Sequence, residues 1–203
     1  MKLSTISVAL ASLLAAASAP AAVINLVQNG SFEANPVANG VAANLWSMNG
    51  WTVGGNAVEV RNNVAGTASD GSIYVELDTF ANSWISQTIN TSAAAPYTVS
   101  FDYSPREFTS AATNGIEVLW NGQALATYSG NNGGPGNQWQ RYSLSVMGAG
   151  MSSNLEFRAV GASDGQGGSL DNVSVTSAVP EPGTLASILL GLGVLGFSLR
   201  RKY

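Results

Sequence analysis

Short runs of alternating apolar and polar residues fill the middle of the chain, from about residue 23 to residue 178. In the run 97–103, Tyr, Val, Phe and Tyr share one face of a strand, while Thr98, Ser100 and Asp102 share the other. Gly, Asn and Ser separate these runs, and none of them has the helical period. The pattern predicts an all-β fold.

Nine strands are predicted in about 155 residues, which is the spacing of a β-sandwich or a β-barrel. The pair Asn121–Gly122 follows one of them and favours a two-residue hairpin turn, because both residues tolerate a positive φ. The predicted strands are 25–28, 57–61, 72–77, 84–89, 97–103, 116–120, 141–146, 155–159 and 170–176.

The composition excludes several kinds of chemistry. The chain has no Cys and no His, which rules out disulfides, hydrolases built on Ser-His-Asp or Cys-His, and zinc enzymes of the common type. A glycosidase can work with two carboxylates, and Glu76 and Asp78 share one strand face, but no proton donor can be singled out between them. We therefore predict that the protein is not an enzyme.

Residues 1–22 have the parts of a secretory signal peptide: Lys2, an apolar run over 3–17, and the small-x-small sequence Ala19-Pro20-Ala21. A short membrane helix is the alternative. The apolar run is shorter than the roughly 20 residues that a bilayer requires. We therefore predict a signal peptide and export through the inner membrane.

The C-terminal residues 179–203 begin with a proline-containing motif and continue into an apolar stretch, 183–199, predicted as a single membrane-spanning helix. Arg200, Arg201 and Lys202 follow and favour the cytoplasmic side. A plain C-terminal anchor would explain the helix and the basic residues but not the motif. The motif residues are Val179, Pro180, Glu181 and Pro182.

This order of parts resembles the PEP-CTERM sorting tail of Gram-negative bacteria. The resemblance implies recognition by an exosortase, a membrane protease. It further implies transient anchoring in the membrane through the helix, and export to the cell surface or the extracellular matrix.

Both ends also affect the charge balance. The net charge of the whole chain is −4. Four of its eight basic residues and one of its twelve acids, Glu181, lie in the two ends, so the middle domain has four Arg against eleven acids, a net charge of −7. Such a domain does not suit nucleic acid, whose phosphates are held by Lys and Arg. It accommodates a divalent cation more easily.

Asp171 is the most informative acid in the middle domain. By strand parity it shares a face with Val173 and Val175, so it faces the core if they do. A buried carboxylate needs a partner. That partner is either a hard cation such as Ca²⁺ or the N–H groups of a loop. Alternatively, a β-bulge turns Asp171 to the outer face.

Several motifs occur in a fixed order in the middle domain, among them 29–33 (Asn-Gly-Ser-Phe-Glu), 70–71 (Asp-Gly), 74–78 (Tyr-Val-Glu-Leu-Asp) and 168–175. Together they are similar to the jelly-roll, galactose-binding-like domains of bacterial surface and adhesion proteins, which are related in plan to carbohydrate-binding modules. The resemblance implies a jelly-roll β-sandwich over 23–178. It also implies a structural Ca²⁺ that bridges the first and last strands. Its ligands would be Ser31 through its carbonyl, Glu33 and Asp171.

Sugars stack on flat aromatic rings, and polar side chains bind their hydroxyls. Trp46, Trp84 and Arg106 are the candidate ligand-binding residues, although a packing role is the alternative for each Trp and an ion pair with Glu107 or Asp102 for Arg106. We predict an exported surface or matrix protein that binds carbohydrate such as exopolysaccharide. The alternative is a structural or adhesive matrix protein that acts through protein–protein contacts without sugar recognition.

Overall fold

The computed structural model describes residues 23–177, and every regular element in them is a β-strand. The all-β prediction is therefore confirmed. No helix in this part of the chain is long and apolar enough to cross a membrane. The predicted signal peptide 1–22, the sorting motif and the helix 183–199 lie outside the described residues.

Eleven strands form two antiparallel sheets that pack face to face as a sandwich. The six-stranded sheet has the order β1-β3-β4-β11-β6-β9, and the five-stranded sheet has the order β2-β5-β10-β7-β8. The strands are β1 (Val41–Leu45), β2 (Thr52–Gly54), β3 (Val58–Asn62), β4 (Tyr74–Glu76), β5 (Trp84–Asn90), β6 (Pro96–Ser104), β7 (Gly115–Trp120), β8 (Gln123–Tyr128), β9 (Gln140–Met147), β10 (Ser152–Val160) and β11 (Ser169–Ser177).

Eight of the nine predicted strands are present, and the predicted hairpin turn joins β7 to β8 with positive φ at both Asn121 and Gly122. The predicted first strand, 25–28, instead makes one isolated bridge, between Asn25 and Thr176. Strands β1, β2 and β8 were not predicted. The strands β1 and β8 lie at sheet edges and are mostly exposed, so they lack the apolar alternation of a half-buried strand. Strand β2 has only three residues.

Aromatic rings fill the space between the sheets. Phe101 of β6 and Phe157 of β10 are completely buried, with ring centroids 5.1 Å apart in an edge-to-face arrangement. Trp51 also packs against Phe157, with ring centroids 6.4 Å apart. Such rings bury large apolar areas, so this contact between the sheets is a main source of the domain's stability.

The N-terminal segment closes the domain by running antiparallel to β11. The Leu26 N–H donates to the Val175 carbonyl at 2.8 Å, and the Val173 N–H donates to the Gly30 carbonyl at 2.9 Å. Gly30 lies so close to the Val173 carbonyl that any side chain at position 30 would collide with it. The first and last segments of the domain are thus joined by backbone hydrogen bonds.

The strand registers place five loops at one end of the sandwich, opposite the end at which the chain leaves β11. Leu45 pairs with Val58, and Ser169 pairs with both Glu76 and Ser104. The loops 55–57, 77–83, 105–114, 129–139 and 161–168 therefore lie near one another, and Trp46, directly after β1, lies beside them. We call this the distal end.

Candidate functional site

Two exposed aromatic side chains stack on each other at the distal end. Trp46 follows β1, Phe80 lies in the loop after β4, and their side chains are 65% and 61% exposed. Their ring centroids are 6.4 Å apart and the planes differ by only 20°. We call this pair the aromatic platform. Trp46 is a candidate ligand-binding residue from the sequence, and that role stays a prediction. Phe80 was missed because it lies in a loop with no strand pattern.

Hydrogen bonds fix the loop that carries Phe80. The Thr79 hydroxyl donates to Asn44 Oδ1 at 2.8 Å, which ties the loop to β1 beneath Trp46. Asp78 is completely buried, and its Oδ2 accepts from the Asp164 N–H at 3.0 Å and the Gly165 N–H at 3.3 Å. These bonds hold the two residues that precede Phe80, so the backbone of its loop needs little ordering when a ligand binds.

Trp84, the second predicted aromatic, has a different environment. It is the first residue of β5, and its side chain is half-buried. Its ring covers the backbone of Gly54 on β2, where any side chain would overlap the indole. The structure therefore brings Trp84 to the distal end as a packing residue.

Arg106 forms neither of the two ion pairs weighed for it. Its Nη1 lies 4.0 Å from Glu76 Oε2 and donates to the Gly165 carbonyl at 3.4 Å. Glu107 instead accepts a hydrogen bond from the Gly136 N–H. The Arg106 side chain is 26% exposed, so it mainly braces the loop 161–168.

Glu76 is at the centre of a buried charge cluster on the outer face of the six-stranded sheet. Its side chain is completely buried, and Arg61, 1% exposed, lies 3.4 Å from it and also contacts Glu59. Glu76 Oε1 accepts from the Asp78 N–H at 2.6 Å and the Gly167 N–H at 2.7 Å. Burial raises the pKa of Glu76, and the Arg61 charge only partly opposes this.

Glu76 and Asp78, which share a strand face, were considered above as the two carboxylates of a glycosidase. Both side chains are completely buried and accept backbone N–H groups of the loop 161–168. In this conformation neither of them lies at a surface where a glycosidic bond could approach. Their observed role is to anchor the loop.

Asp171 is buried, but the strand-parity prediction for it is wrong. A β-bulge between Asp171 and Ser174, with Asn172 at φ 50°, places Asp171 opposite Asp102 on the outer face, while Val173 and Val175 face the core. The segment 63–73 covers that outer face.

The covering segment supplies the hydrogen-bond partners of Asp171. The Ser69 N–H at 2.8 Å and the Asp70 N–H at 2.9 Å both donate to its Oδ2. Burial raises the pKa of Asp171 to about 7, although these amides oppose the shift. Both alternatives weighed for this residue, the bulge and the loop amides, are present.

Glu33 holds the same covering segment. Its Oε1 accepts from the Ser72 N–H and the Ile73 N–H, both at 2.7 Å. Gly71 has a positive φ of 70° and lies against the Glu33 carboxylate, so a side chain there would collide with it. Glu33 and Asp171 are therefore brought to one five-residue stretch, 69–73, from opposite ends of the domain.

The carboxylate oxygens beside this stretch are of the chemical type that Ca²⁺ binds, since this cation takes carboxylate and backbone carbonyl oxygens as ligands. Ser31 is half-buried in the turn that precedes Glu33. Within residues 23–177, no group of three or more His, Cys, Asp or Glu side chains is arranged to hold a metal ion. A calcium site would therefore depend on carbonyl oxygens besides Glu33 and Asp171, and it stays a prediction.

The two-sheet fold belongs to the class of jelly-roll domains seen in carbohydrate-binding modules. TmCBM61 in complex with β-1,4-galactotriose superposes with a TM-score of 0.54 at 18% identity, covering 76% of this chain and 99% of that chain. A family 35 carbohydrate-binding module from Clostridium thermocellum has a TM-score of 0.48 at 16% identity, covering 68% of this chain and 99% of its own. At these identities the likeness concerns the fold.

Residues 25–176 match the family described as "Protein of unknown function (DUF642)", and the chain belongs to that family. Residues 178–202 match the PEP-CTERM protein-sorting motif, which confirms that resemblance. Over 157 residues, 75% of this chain, it is 32% identical to the multifunctional-autoprocessing repeats-in-toxin proteins of Vibrio cholerae serotype O1 and Vibrio vulnificus. The matched region spans 3% of the length of those relatives.

Proposed function

We propose that this protein binds a neutral carbohydrate at the cell surface or in the extracellular matrix through the aromatic platform. The observation that carries the proposal is the exposed stacking of Trp46 on Phe80. Two large rings are turned to solvent in nearly parallel planes and would gain from burial against an apolar surface. The C–H face of a sugar ring offers such a surface.

The charge of the domain indicates which sugars suit it. Each of the four Arg residues of the domain pairs with at least one carboxylate of the chain. The domain has eleven acids, so an acidic polysaccharide would meet repulsion with few partners for its carboxylates. An uncharged glycan is therefore the proposed ligand.

The position of the platform supports a role at a surface. The sorting motif begins at residue 178, directly after β11, whereas the platform lies at the distal end. Within the described residues, Trp46 and Phe80 lie at the end of the sandwich opposite to the end of β11 at Ser177. This arrangement suits a module that connects the cell surface to polysaccharide.

Replacing Trp46 by Ala is expected to weaken binding to a neutral polysaccharide at least about tenfold, because one stacking ring is lost. Affinity electrophoresis in gels that contain neutral polysaccharides measures this as reduced retardation. Trp46 is largely exposed, so the free energy of unfolding should stay the same. Met151→Ala is the matched control, since Met151 is 91% exposed in the loop between β9 and β10, away from the distal end. Absence of retardation of the unaltered protein in every gel would favour the matrix protein without sugar recognition.

The PEP-CTERM motif marks the chain as a secreted, surface-destined protein with a transient C-terminal anchor. We propose that an exosortase cleaves it at the tail and that a signal peptidase removes residues 1–22. Mass spectrometry of the surface-exposed protein should then find neither segment 1–22 nor the basic residues 200–202. Detection of the intact segment 200–203 on the surface protein would refute cleavage, though not anchoring.

We also propose that Ca²⁺ binds beside the stretch 69–73, with Glu33, Asp171 and the Ser31 carbonyl as ligands. The cation would supply positive charge to the buried Asp171 carboxylate, which forms no ion pair among residues 23–177. Its role would be to link the two termini of the domain in addition to their backbone hydrogen bonds.

A further inference from the structure

A concave feature lies at the other side of the distal end, away from the aromatic platform. It is a surface cavity of about 130 Å³ between the end of β6, the start of β9 and the loop that joins β8 to β9. In the six-stranded sheet, β1 and β9 are the two opposite edges, so this cavity and the aromatic platform are separate. We call it the amide cavity. Its lining residues are Tyr103, Pro105, Gly130, Asn131, Asn132, Gln138, Gln140 and Tyr142.

The polar lining is made of uncharged groups that both donate and accept hydrogen bonds. Four of the lining side chains are carboxamides and none is charged. Asn132 Oδ1 accepts from the Ala111 N–H at 2.9 Å. The side-chain amides of Asn131, Gln138 and Gln140 make no hydrogen bond to another group of residues 23–177 and are exposed. Their donors and acceptors are therefore available to a ligand.

The aromatic wall of the cavity is rigid. The Tyr103 hydroxyl donates to the Asn114 carbonyl at 2.9 Å, and Gly130, with φ 61°, approaches the Tyr103 ring so closely that a Cβ would lie 3.3 Å from it. The half-buried Tyr142 packs on Tyr128 with centroids 4.2 Å apart and on Tyr103 at 6.3 Å. One wall is thus fixed aromatic surface, and the rim is a set of carboxamides.

We infer that the amide cavity is a second carbohydrate site, which takes one uncharged sugar unit at an end or a branch of a glycan. Hydroxyl groups are donors and acceptors at once, as carboxamides are, and the sugar C–H face suits the Tyr142 ring. The absence of charge in the lining excludes a phosphate, sulfate or carboxylate as the preferred group. Ligand clefts for larger molecules measure about 300–1,000 Å³, so the cavity suits a single unit instead of a long segment.

This inference goes beyond the proposed function because it concerns other residues at the opposite sheet edge. Both sites lie at the distal end, so one branched polysaccharide or two neighbouring chains can occupy them together. Linking two weak contacts in this way raises the overall avidity without new contacts. The two sites can be separated by mutation because they share no residue.

The test is a titration of the ¹⁵N-labelled full-length chain in detergent solution, followed through the side-chain amide signals of Asn and Gln. The probes are β-1,4-galactotriose, cellotriose and maltotriose, each raised to about 20 mM, which populates sites with Kd in the millimolar range. At least one probe is expected to shift the signals of Asn131, Gln138 and Gln140. Gln123, an exposed amide at the start of β8, is away from the distal end and should not shift.

Gln140→Ala and Tyr142→Ala are expected to weaken this binding about tenfold each, while Gln123→Ala leaves it unchanged. Gln140 is exposed, so its variant keeps the fold even if Tyr142→Ala loses stability. If no probe shifts the cavity amides, or if Gln140→Ala binds as the unaltered chain does, the inference is wrong. Loss of the cavity shifts in Trp46→Ala would also overturn it and leave the platform as the site. Cavity shifts that persist in Trp46→Ala, with unchanged retardation of that variant, would instead remove the platform and retain the cavity.

Discussion

Replacing Arg61 by Met is expected to lower the free energy of unfolding by about 3 kcal/mol, the lower end of the cost of breaking a buried ion pair, because Glu76 then keeps only Arg106, at 4.0 Å. Arg61 is 1% exposed, and its guanidinium is the nearest cation to the completely buried Glu76. Met keeps most of the side-chain volume of Arg, so the loss of stability measures the contribution of the guanidinium charge. Urea unfolding at pH 7, followed by tryptophan fluorescence, measures the change.

The pH dependence of this variant identifies the group responsible. Burial already raises the pKa of Glu76 above its ordinary value of 4.5, and Arg61 opposes the rise. Without Arg61 that pKa is higher still, so the folded state binds a proton on Glu76 where the unfolded chain does not. Stability therefore rises as the pH falls. The deficit of Arg61→Met should be smaller at pH 5 than at pH 7.

Two further variants serve as controls for Arg61→Met. In Arg61→Met/Glu76→Gln the buried Glu76 carboxylate is replaced by a neutral amide, so the free energy of unfolding should recover in part. Arg158→Met removes an Arg whose side chain is 42% exposed and pairs with Glu156 and Glu117, and should cost less than about 1 kcal/mol. Equal losses of unfolding free energy in Arg61→Met and Arg158→Met would show that the buried ion pair stabilises the domain no more than an exposed one.

The sequence predicted the strands that are buried on one face. Period-two alternation was clear in β6, where Val99 and Phe101 are completely buried, and it identified the neighbours of that strand as well. Alternation failed where burial is slight. Strand β8 is mostly exposed, and only its residues Ala126 and Tyr128 are half-buried, so its apolar alternation is weak, although the turn before it was predicted correctly.

The outer face of the six-stranded sheet could not be predicted by the same rule. Glu76 and Asp171 lie on that face, yet both are completely buried because the segments 63–73 and 161–168 fold over them. A loop that covers a sheet face leaves no periodic signal in the strand beneath it. The bulge at Asn172 adds one residue to β11 and reverses the parity on which the prediction for Asp171 relied.

The candidate site was predicted only in part, for a related reason. Trp46 was chosen because it lies in a loop-like stretch, and it is in fact largely exposed. Its stacking partner Phe80 is 34 positions further along the chain, and only the pairing of β1 with β3 and of β3 with β4 brings the two together. Sequence periodicity describes neighbours within a strand, whereas this platform arises from the order of strands in the sheet.

In excess chelator, Asp171→Ala is expected to lower the free energy of unfolding by about 2–4 kcal/mol. The substitution removes the acceptor of the Ser69 and Asp70 N–H groups, and part-buried donors without partners cost about 1–3 kcal/mol each. The segment 63–73 should then detach locally, so limited proteolysis should cut it faster than in the unaltered chain. Asp70→Ala is the matched control, because Asp70 is exposed on the same stretch and should change stability little.

The unaltered chain and Asp171→Ala also test the proposed calcium site when their melting is compared in calcium and in chelator. If Glu33 and Asp171 are ligands, calcium at about 100 times its Kd stabilises the unaltered chain by about 2.7 kcal/mol, because it binds only the folded state. Calorimetry should then show a higher melting temperature in calcium than in chelator, with almost no difference for Asp171→Ala. Identical melting of the unaltered chain in calcium and in chelator would remove the metal from the proposal. The hydrogen-bonding role of Asp171 would still stand if Asp171→Ala were less stable than Asp70→Ala, because that comparison is made with chelator in both samples.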